Sequence, residues 1–218
     1  MRKQKQPWPT KDAMEQVYEK QLWGTNGADF YSGEGSHHQL IVNPYIKEVS
    51  SFLSSFNTPL VVCDLGCGDF NVGSQLVKFT KQYIAVDIVE SLINRNKQMF
   101  KSVNLEFQCL DIAKNDLPKA DCILLRQVLQ HLSNSEIKAV INKLSSYKYV
   151  IVTEHIPEGD FIPNKDIISG QGIRLKKNSG VNLLAEPFRL KVKSSKDLLT
   201  SKPLKGKGKI VTTLFQMN

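Results

Sequence analysis

Five short apolar runs with helix-like stretches between them constrain the fold more than any other feature of this chain. The runs occupy 60–65, 83–87, 105–110, 121–125 and 147–153. Each is strand-sized, and the segments between them are polar with helical periodicity, clearest over 136–144. Strands alternating with helices predict an α/β, Rossmann-like architecture: a mostly parallel sheet, helices on both faces and right-handed crossovers. Two later runs, 188–192 and 209–215, flank a lysine-rich stretch and read as an antiparallel hairpin closing the sheet. Upstream, Met14, Val17, Tyr18 and Leu22 recur at helical spacing within 12–23. Gly33 and Gly35 then break the pattern, and Asn43-Pro44 reads as an N-cap and first helical residue. Tyr45, Val49, Phe52, Leu53 and Phe56 continue on one helical face. At 218 residues the chain is expected to be one domain. It divides into a helical cap over 1–58, a binding core over 59–154 and, over 155–218, a substrate loop with the closing hairpin. The aperiodic, glycine-bearing stretch after Glu154 is long for a compact domain, which marks it as functional or mobile.

Composition narrows the partners. No apolar run approaches the roughly 20 residues that span a bilayer, and no apolar stretch follows the basic first residues. Cys63, Cys67, Cys109 and Cys122 lie in or beside strand-like segments at spacings that match no zinc site. A reduced, cytoplasmic setting is expected, without a membrane partner or a bound metal. The net charge of +8 raises nucleic acid as a partner. Much of it is local, however: Arg2, Lys3 and Lys5 in the tail, and Lys202, Lys205, Lys207 and Lys209 in the hairpin loop. Such runs are usually solvated.

The most informative stretch is Val61-Val-Cys-Asp-Leu-Gly-Cys-Gly-Asp-Phe70. A buried strand ends in Asp64, and Gly66 and Gly68 follow at once, allowing a sharp turn and close approach to the main chain. A dinucleotide loop needs a further glycine where this chain has Asn71. A carboxylate beside the loop repels a pyrophosphate but helps to hold a sulfonium or ammonium group. Those two facts favour S-adenosylmethionine over NAD. Asp87 ends the second strand about 20 residues on, placed to accept from both ribose hydroxyls. Asp111 follows the third strand, placed to accept from the adenine amino group, with Leu110 and Ile112 near the ring. Cys67 and Ile88 complete this set.

Asp64-Leu-Gly-Cys-Gly, Val86-Asp87 and Leu110-Asp111-Ile112 resemble the first three motifs of class I S-adenosylmethionine-dependent methyltransferases. The resemblance covers 60–153, with Phe70 where the motif's third glycine usually stands. A looser likeness joins Ser32-Gly-Glu-Gly-Ser36, Cys67-Gly-Asp-Phe-Asn71, Leu125-Arg-Gln-Val-Leu-Gln-His-Leu132, Asn164-Lys-Asp-Ile167 and Glu186-Pro-Phe188. These blocks are similar to those of a sparsely characterised methyltransferase family. The likeness implies a seven-stranded sheet and a cofactor contact by Arg126 or its neighbours.

On the substrate side, the Asn/Asp-Pro-Pro-Tyr/Phe signature of exocyclic-amine methyltransferases that act on nucleic acid bases is missing after the fourth strand. His131 stands there instead, and its expected role is general base. Glu154 and His155, at the end of the fifth strand, are candidates to hold or orient the substrate. Tyr31 and His37 are candidates to close over the site, and Arg174 to clamp an anionic acceptor. The favoured reading is methyl transfer to an oxygen or nitrogen of a small polar molecule, such as a sugar or a natural-product intermediate. An RNA methyltransferase, a protein methyltransferase and a non-catalytic module that only binds the cofactor remain as alternatives.

Overall fold

The computed structural model describes residues 8–27, 29–204 and 206–218. The basic tail of Arg2, Lys3 and Lys5, and Lys205, lie outside the described residues. Seven strands form one sheet: β1 Val61–Leu65, β2 Gln82–Asp87, β3 Leu105–Cys109, β4 Cys122–Arg126, β5 Tyr149–Ile156, β6 Ser194–Ser201 and β7 Lys209–Gln216. Their order is β3-β2-β1-β4-β5-β7-β6. The first five strands are parallel, and β7 enters antiparallel between β5 and β6. The strand order reverses between β1 and β4, which opens a crevice at their carboxyl ends.

Helices cover both faces of the sheet. One face buries Cys63, Leu65, Val86 and Leu125 against Ile137, Val140 and Leu144 of α5 Asn134–Leu144. Residues of opposite parity, Val62, Ala85 and Leu124, bury against Tyr45, Val49 and Leu53 of α3 Gln39–Ser54. Ile93 of α4 Glu90–Met99 joins this second cluster. The period-2 alternation of a strand produces this division. Among the described residues, two helices precede α3: α1 Thr10–Glu19 and the single-turn α2 Glu34–His37. α5 begins with a capping box in which Ser133 and Glu136 satisfy each other's main-chain N–H groups.

Two element expectations need correction. The helix assigned to Asn43-Pro44 starts earlier, with His38 as its N-cap, and Pro44 lies inside it. Proline there withholds a bond from the Leu40 carbonyl, and Leu40 is an exposed residue of the first turn, where that loss is tolerated. The sixth strand is Ser194–Ser201 rather than 188–192. Arg189 has φ +46°, which no continuous strand accommodates, and Phe188, Leu190 and Val192 instead pack as a coil onto the α5-side core.

The lysine-rich segment joins β6 to β7. Lys202 and Lys207 are exposed, and no lysine among the described residues lines the main cavity at the strand ends. Replacing Lys202, Lys205, Lys207 and Lys209 by Gln is expected to leave turnover nearly unchanged. A large loss of rate that low salt restores would instead reveal a polyanionic partner.

Candidate active site

A cavity of about 470 Å³ opens at the carboxyl ends of β1, β2, β3 and β4. That volume falls in the range of small-molecule sites, about 300–1,000 Å³. Asp64, Gly66, Cys67, Gly68, Asp87 and Ile88 all line it, as do Asp111, Ile112 and Arg126. The strand ends thus bring the whole set of cofactor candidates to one wall.

The loop after β1 turns through left-handed glycines, with φ +81° at Gly66 and +57° at Gly68. A Cβ at Gly66 would stand 2.4 Å from a Val128 methyl, and one at Gly68 would stand 2.5 Å from Ser32 Oγ. Glycine here lets the turn after β4 and the N-terminal segment close onto the loop. Phe70, standing where the resembled motif usually has its third glycine, has a left-handed backbone with φ +64°. Its ring is buried edge-on against Tyr83, Phe100 and Phe107 at 4.8–5.7 Å between centroids.

Electrostatics follow from burial. Burial pushes the Asp64 carboxyl up to about 6, while the Tyr83 hydroxyl, donating at 2.8 Å, and the Arg126 guanidinium pull it back. Asp87 accepts from the Gly68 N–H at 3.0 Å and the Val89 N–H at 3.1 Å, so it ties the loop to β2. Burial raises its carboxyl above the usual range despite those donors. Arg126 donates to the Gly35 carbonyl and to Ser36 Oγ, and lies 5.0 Å over the Tyr45 ring. Its buried Nε has no hydrogen-bond partner among the described residues and so offers a donor to an anionic group such as a carboxylate.

The motif blocks interlock. Asp69 accepts from the Ser32 N–H at 2.7 Å and from His37 at 2.6 Å, and Asn71 donates to the Ser36 carbonyl at 2.7 Å. In this way 32–36 is latched onto 67–71. Further along, Asn164 donates to the carbonyls of Asn182 and Glu186, and Asp166 accepts from the Asn134 N–H.

An aromatic wall completes the cavity. Tyr18 and Trp23 are in edge contact at 5.6 Å, and Trp23 lies 5.1 Å from the His131 ring, all three on the cavity surface. His131 donates from Nδ1 to the Gly170 carbonyl at 3.1 Å. That bond turns Nε2 into an acceptor, which the Gln130 amide approaches at 3.3 Å. Burial holds this imidazole down to about 4, so it is neutral across the working range. Tyr18, Trp23, Asp69, Gln130 and Glu136 carry no assigned site role in the sequence, though all line the cavity. Only Asp69, directly after Gly68, carried a positional signal.

Four substrate-side candidates lie off the cavity wall, as does Glu154. Arg174 is buried with its guanidinium turned onto main-chain carbonyls, so it has no free face to clamp an acceptor. His155 donates from Nε2 to the Lys207 carbonyl in the hairpin loop. His37 is held by Asp69, and Tyr31 packs on His37 at 4.7 Å. Glu154 lies beneath the 129–132 turn, where Oε1 accepts from the Leu129 N–H at 3.1 Å and Oε2 has no hydrogen-bond partner among the described residues.

Burial pushes the Glu154 carboxyl up to about 8 against the pull of the Gln130, Leu129 and Val128 amides. A folded-state value raised above the ordinary 4.5 means that the folded protein binds the extra proton. This group therefore costs stability as pH rises from about 4.5 through 8. Glu154→Gln keeps the acceptor for Leu129 and removes that cost. Thermal denaturation above pH 8 should show the variant more stable by roughly 1–4 kcal/mol, with the gap closing toward pH 4. An unchanged or widening gap at low pH would reject this account.

Residues 62–147 match the family model described as a methyltransferase domain. A phosphoethanolamine N-methyltransferase of Triticum aestivum is 28% identical over 116 residues, 50% of this chain and 22% of that protein. The chain spans about a fifth of the length of the curated relatives it matches. Among solved structures, the N-methyltransferase NodS from Bradyrhizobium japonicum, bound to S-adenosylhomocysteine, superposes with TM-score 0.71 at 12% identity. That superposition covers 94% of this chain and 99% of NodS. The magnesium protoporphyrin IX methyltransferase of Synechocystis, with S-adenosylmethionine bound, superposes with TM-score 0.58 at 16% identity, covering 98% of this chain and all of that one. The family match covers the strands that build the cavity, and the chain shares the Rossmann-like fold of these methyltransferases.

Proposed function

We propose that this protein methylates a small amine. The observation that carries the reading is the character of the cavity: Glu34, Asp64, Asp69, Asp87, Asp111 and Glu136 line it, against Arg126 as the one cation among its described residues. In a chain of net charge +8, such a lining favours a cationic ligand and disfavours a phosphorylated or carboxylated acceptor. Tyr18 and Trp23 add ring faces, which attract ammonium groups.

The wall residues also fit S-adenosylmethionine. Asp87 and Asp111 would hold its ribose and adenine, Asp64 its ammonium group, and the unpartnered Arg126 Nε its carboxylate. Bound there, the cofactor supplies an activated methyl group. The protein aligns the acceptor and excludes water. His131 is too weak a base, at about 4, to take a proton from an alcohol. As a neutral acceptor it can hold the N–H of an uncharged amine by displacing the long contact from Gln130, and so orient the nitrogen lone pair. An amine already present as its free base needs no stronger help.

The test is a turnover panel that monitors S-adenosylhomocysteine with ethanolamine, tyramine and histamine. Each is run beside its hydroxyl analogue, with phosphoethanolamine, bulk tRNA and a protein substrate mixture as comparators. The expected result is turnover of at least one amine, with kcat/KM rising with pH toward the amine's own pKa. Turnover confined to the alcohols, phosphoethanolamine, RNA or protein would overturn the reading.

A further inference from the structure

Among the described residues, two buried ionisable side chains lie outside the roles above: Arg174, 1% exposed, and Glu154, 4% exposed. Neither lines the cavity, yet both end on the same short turn, residues 129–132, whose side chains Gln130 and His131 do. We propose that Arg174 is a positioning residue: from beneath the turn its guanidinium sets the main chain that presents Gln130 and His131 to the acceptor. This rests on the reading of His131 as the acceptor's hydrogen-bond partner.

The geometry is specific to arginine. Nε donates to the Lys165 carbonyl at 3.0 Å. One terminal nitrogen serves the carbonyls of Leu129 and Gln130 at 3.3 Å each. The other serves the Leu132 carbonyl and Asn134 Oδ1 at 2.8 Å each. A 3-10 turn of this length makes few bonds of its own, here His131 N–H to the Val128 carbonyl and Leu132 N–H to the Leu129 carbonyl. Arg174 therefore supplies donors to three of the turn's carbonyls. Glu154 accepts from the Leu129 N–H of the same turn. Four residues before Arg174, Gly170 pairs with His131 twice, its N–H to the His131 carbonyl and its carbonyl to the ring Nδ1. The guanidinium and the group that fixes the imidazole tautomer thus arrive on one segment.

Burying a guanidinium among carbonyls costs desolvation that an apolar side chain would avoid. What an apolar side chain cannot do is hold three carbonyl directions at once. Lysine cannot either, since it offers three donors from a single point rather than a planar fork.

Arg174→Lys is the first variant. If it folds, KM for S-adenosylmethionine is expected to stay within about two-fold, while kcat on the amine found in the panel falls about 10- to 100-fold, the size of effect a misplaced reacting group produces. The second readout needs no substrate. Nitrogen-15 NMR of the histidine rings should show the His131 titration moving up toward the ordinary histidine range and its Nδ1–H tautomer losing dominance. A folded Arg174→Lys protein with wild-type kcat and wild-type His131 titration would overturn the proposal. If Arg174→Lys does not fold, Asn134→Ala removes the guanidinium's one side-chain partner and should move both readouts the same way by a few-fold. No movement in either overturns it equally.

His131→Ala separates this inference from the reading beneath it. A slow Arg174→Lys beside a fully active His131→Ala refutes the role of His131 and leaves the positioning to act through Gln130. A slow His131→Ala beside a fully active Arg174→Lys refutes the positioning alone. Non-additive losses in the double variant support both.

Discussion

Asp87→Ala should weaken S-adenosylmethionine binding by roughly 1–3 kcal/mol, from about five-fold to over a hundred-fold, as judged by calorimetry. Two losses combine. On the proposed assignment the ribose hydroxyls lose their acceptor, and the N–H groups of Gly68 and Val89, both now bonded to this carboxylate, lose that partner beside the cavity. Asp87→Asn separates the two, because its one amide oxygen can still accept from Gly68. It should therefore retain more of the fold's stability than of the affinity. An unchanged affinity in a folded Asp87→Ala protein would reject Asp87 as the ribose ligand.

The second large effect concerns His131. His131→Ala should lower kcat by about 100-fold, the lower end of what a positioned proton acceptor contributes, while leaving cofactor affinity nearly intact. The pH signature is sharper than the magnitude. A histidine of ordinary basicity would cost activity as pH falls through about 6.5. With the ring held down to about 4, the neutral acceptor persists, and no histidine limb should appear between pH 5 and 8. The same depression bears on stability. Between 6.5 and about 4 the unfolded chain binds more protons than the folded one, so the contribution of this ring to stability is complete above 6.5 and lost as pH falls toward 4. A histidine limb near pH 6.5 in the wild-type profile, lost in His131→Ala, would refute the assigned environment. A loss of less than a few-fold in His131→Ala would refute the role.

How far the sequence reaches can be seen residue by residue. The parallel strands were legible because β1, β2, β4 and β5 are apolar runs and β3 alternates Leu105, Phe107 and Cys109 with polar residues. Asp64, Gly66, Gly68, Asp87 and Asp111 were legible as cavity residues because they stand at or just past strand ends. The sixth strand was not, because Ser194–Ser201 is an exposed edge with little apolar signal, whereas Phe188, Leu190 and Val192 have the composition of a strand but coil onto the core. Tyr18 was legible as a buried helical position yet not as a cavity residue, since one residue serves both. Arg174 is the clearest limit. A basic residue in a glycine-bearing loop looks solvent-facing or substrate-facing, and its partners are carbonyls, which have no identity in sequence.

Phe70 has a consequence for how the protein loses function on heating. A left-handed phenylalanine costs roughly 1–3 kcal/mol of backbone strain, which the burial of its ring against Tyr83, Phe100 and Phe107 offsets. A glycine at this point would leave the cofactor loop free to loosen by itself while the core stayed folded. Here the loop's shape is held by the same aromatic packing that joins β2, β3 and Phe100 at the end of α4. Local opening of the binding loop is thereby merged with the global transition, and hydrogen exchange at Gly68 and Asp69 should proceed only through whole-domain unfolding.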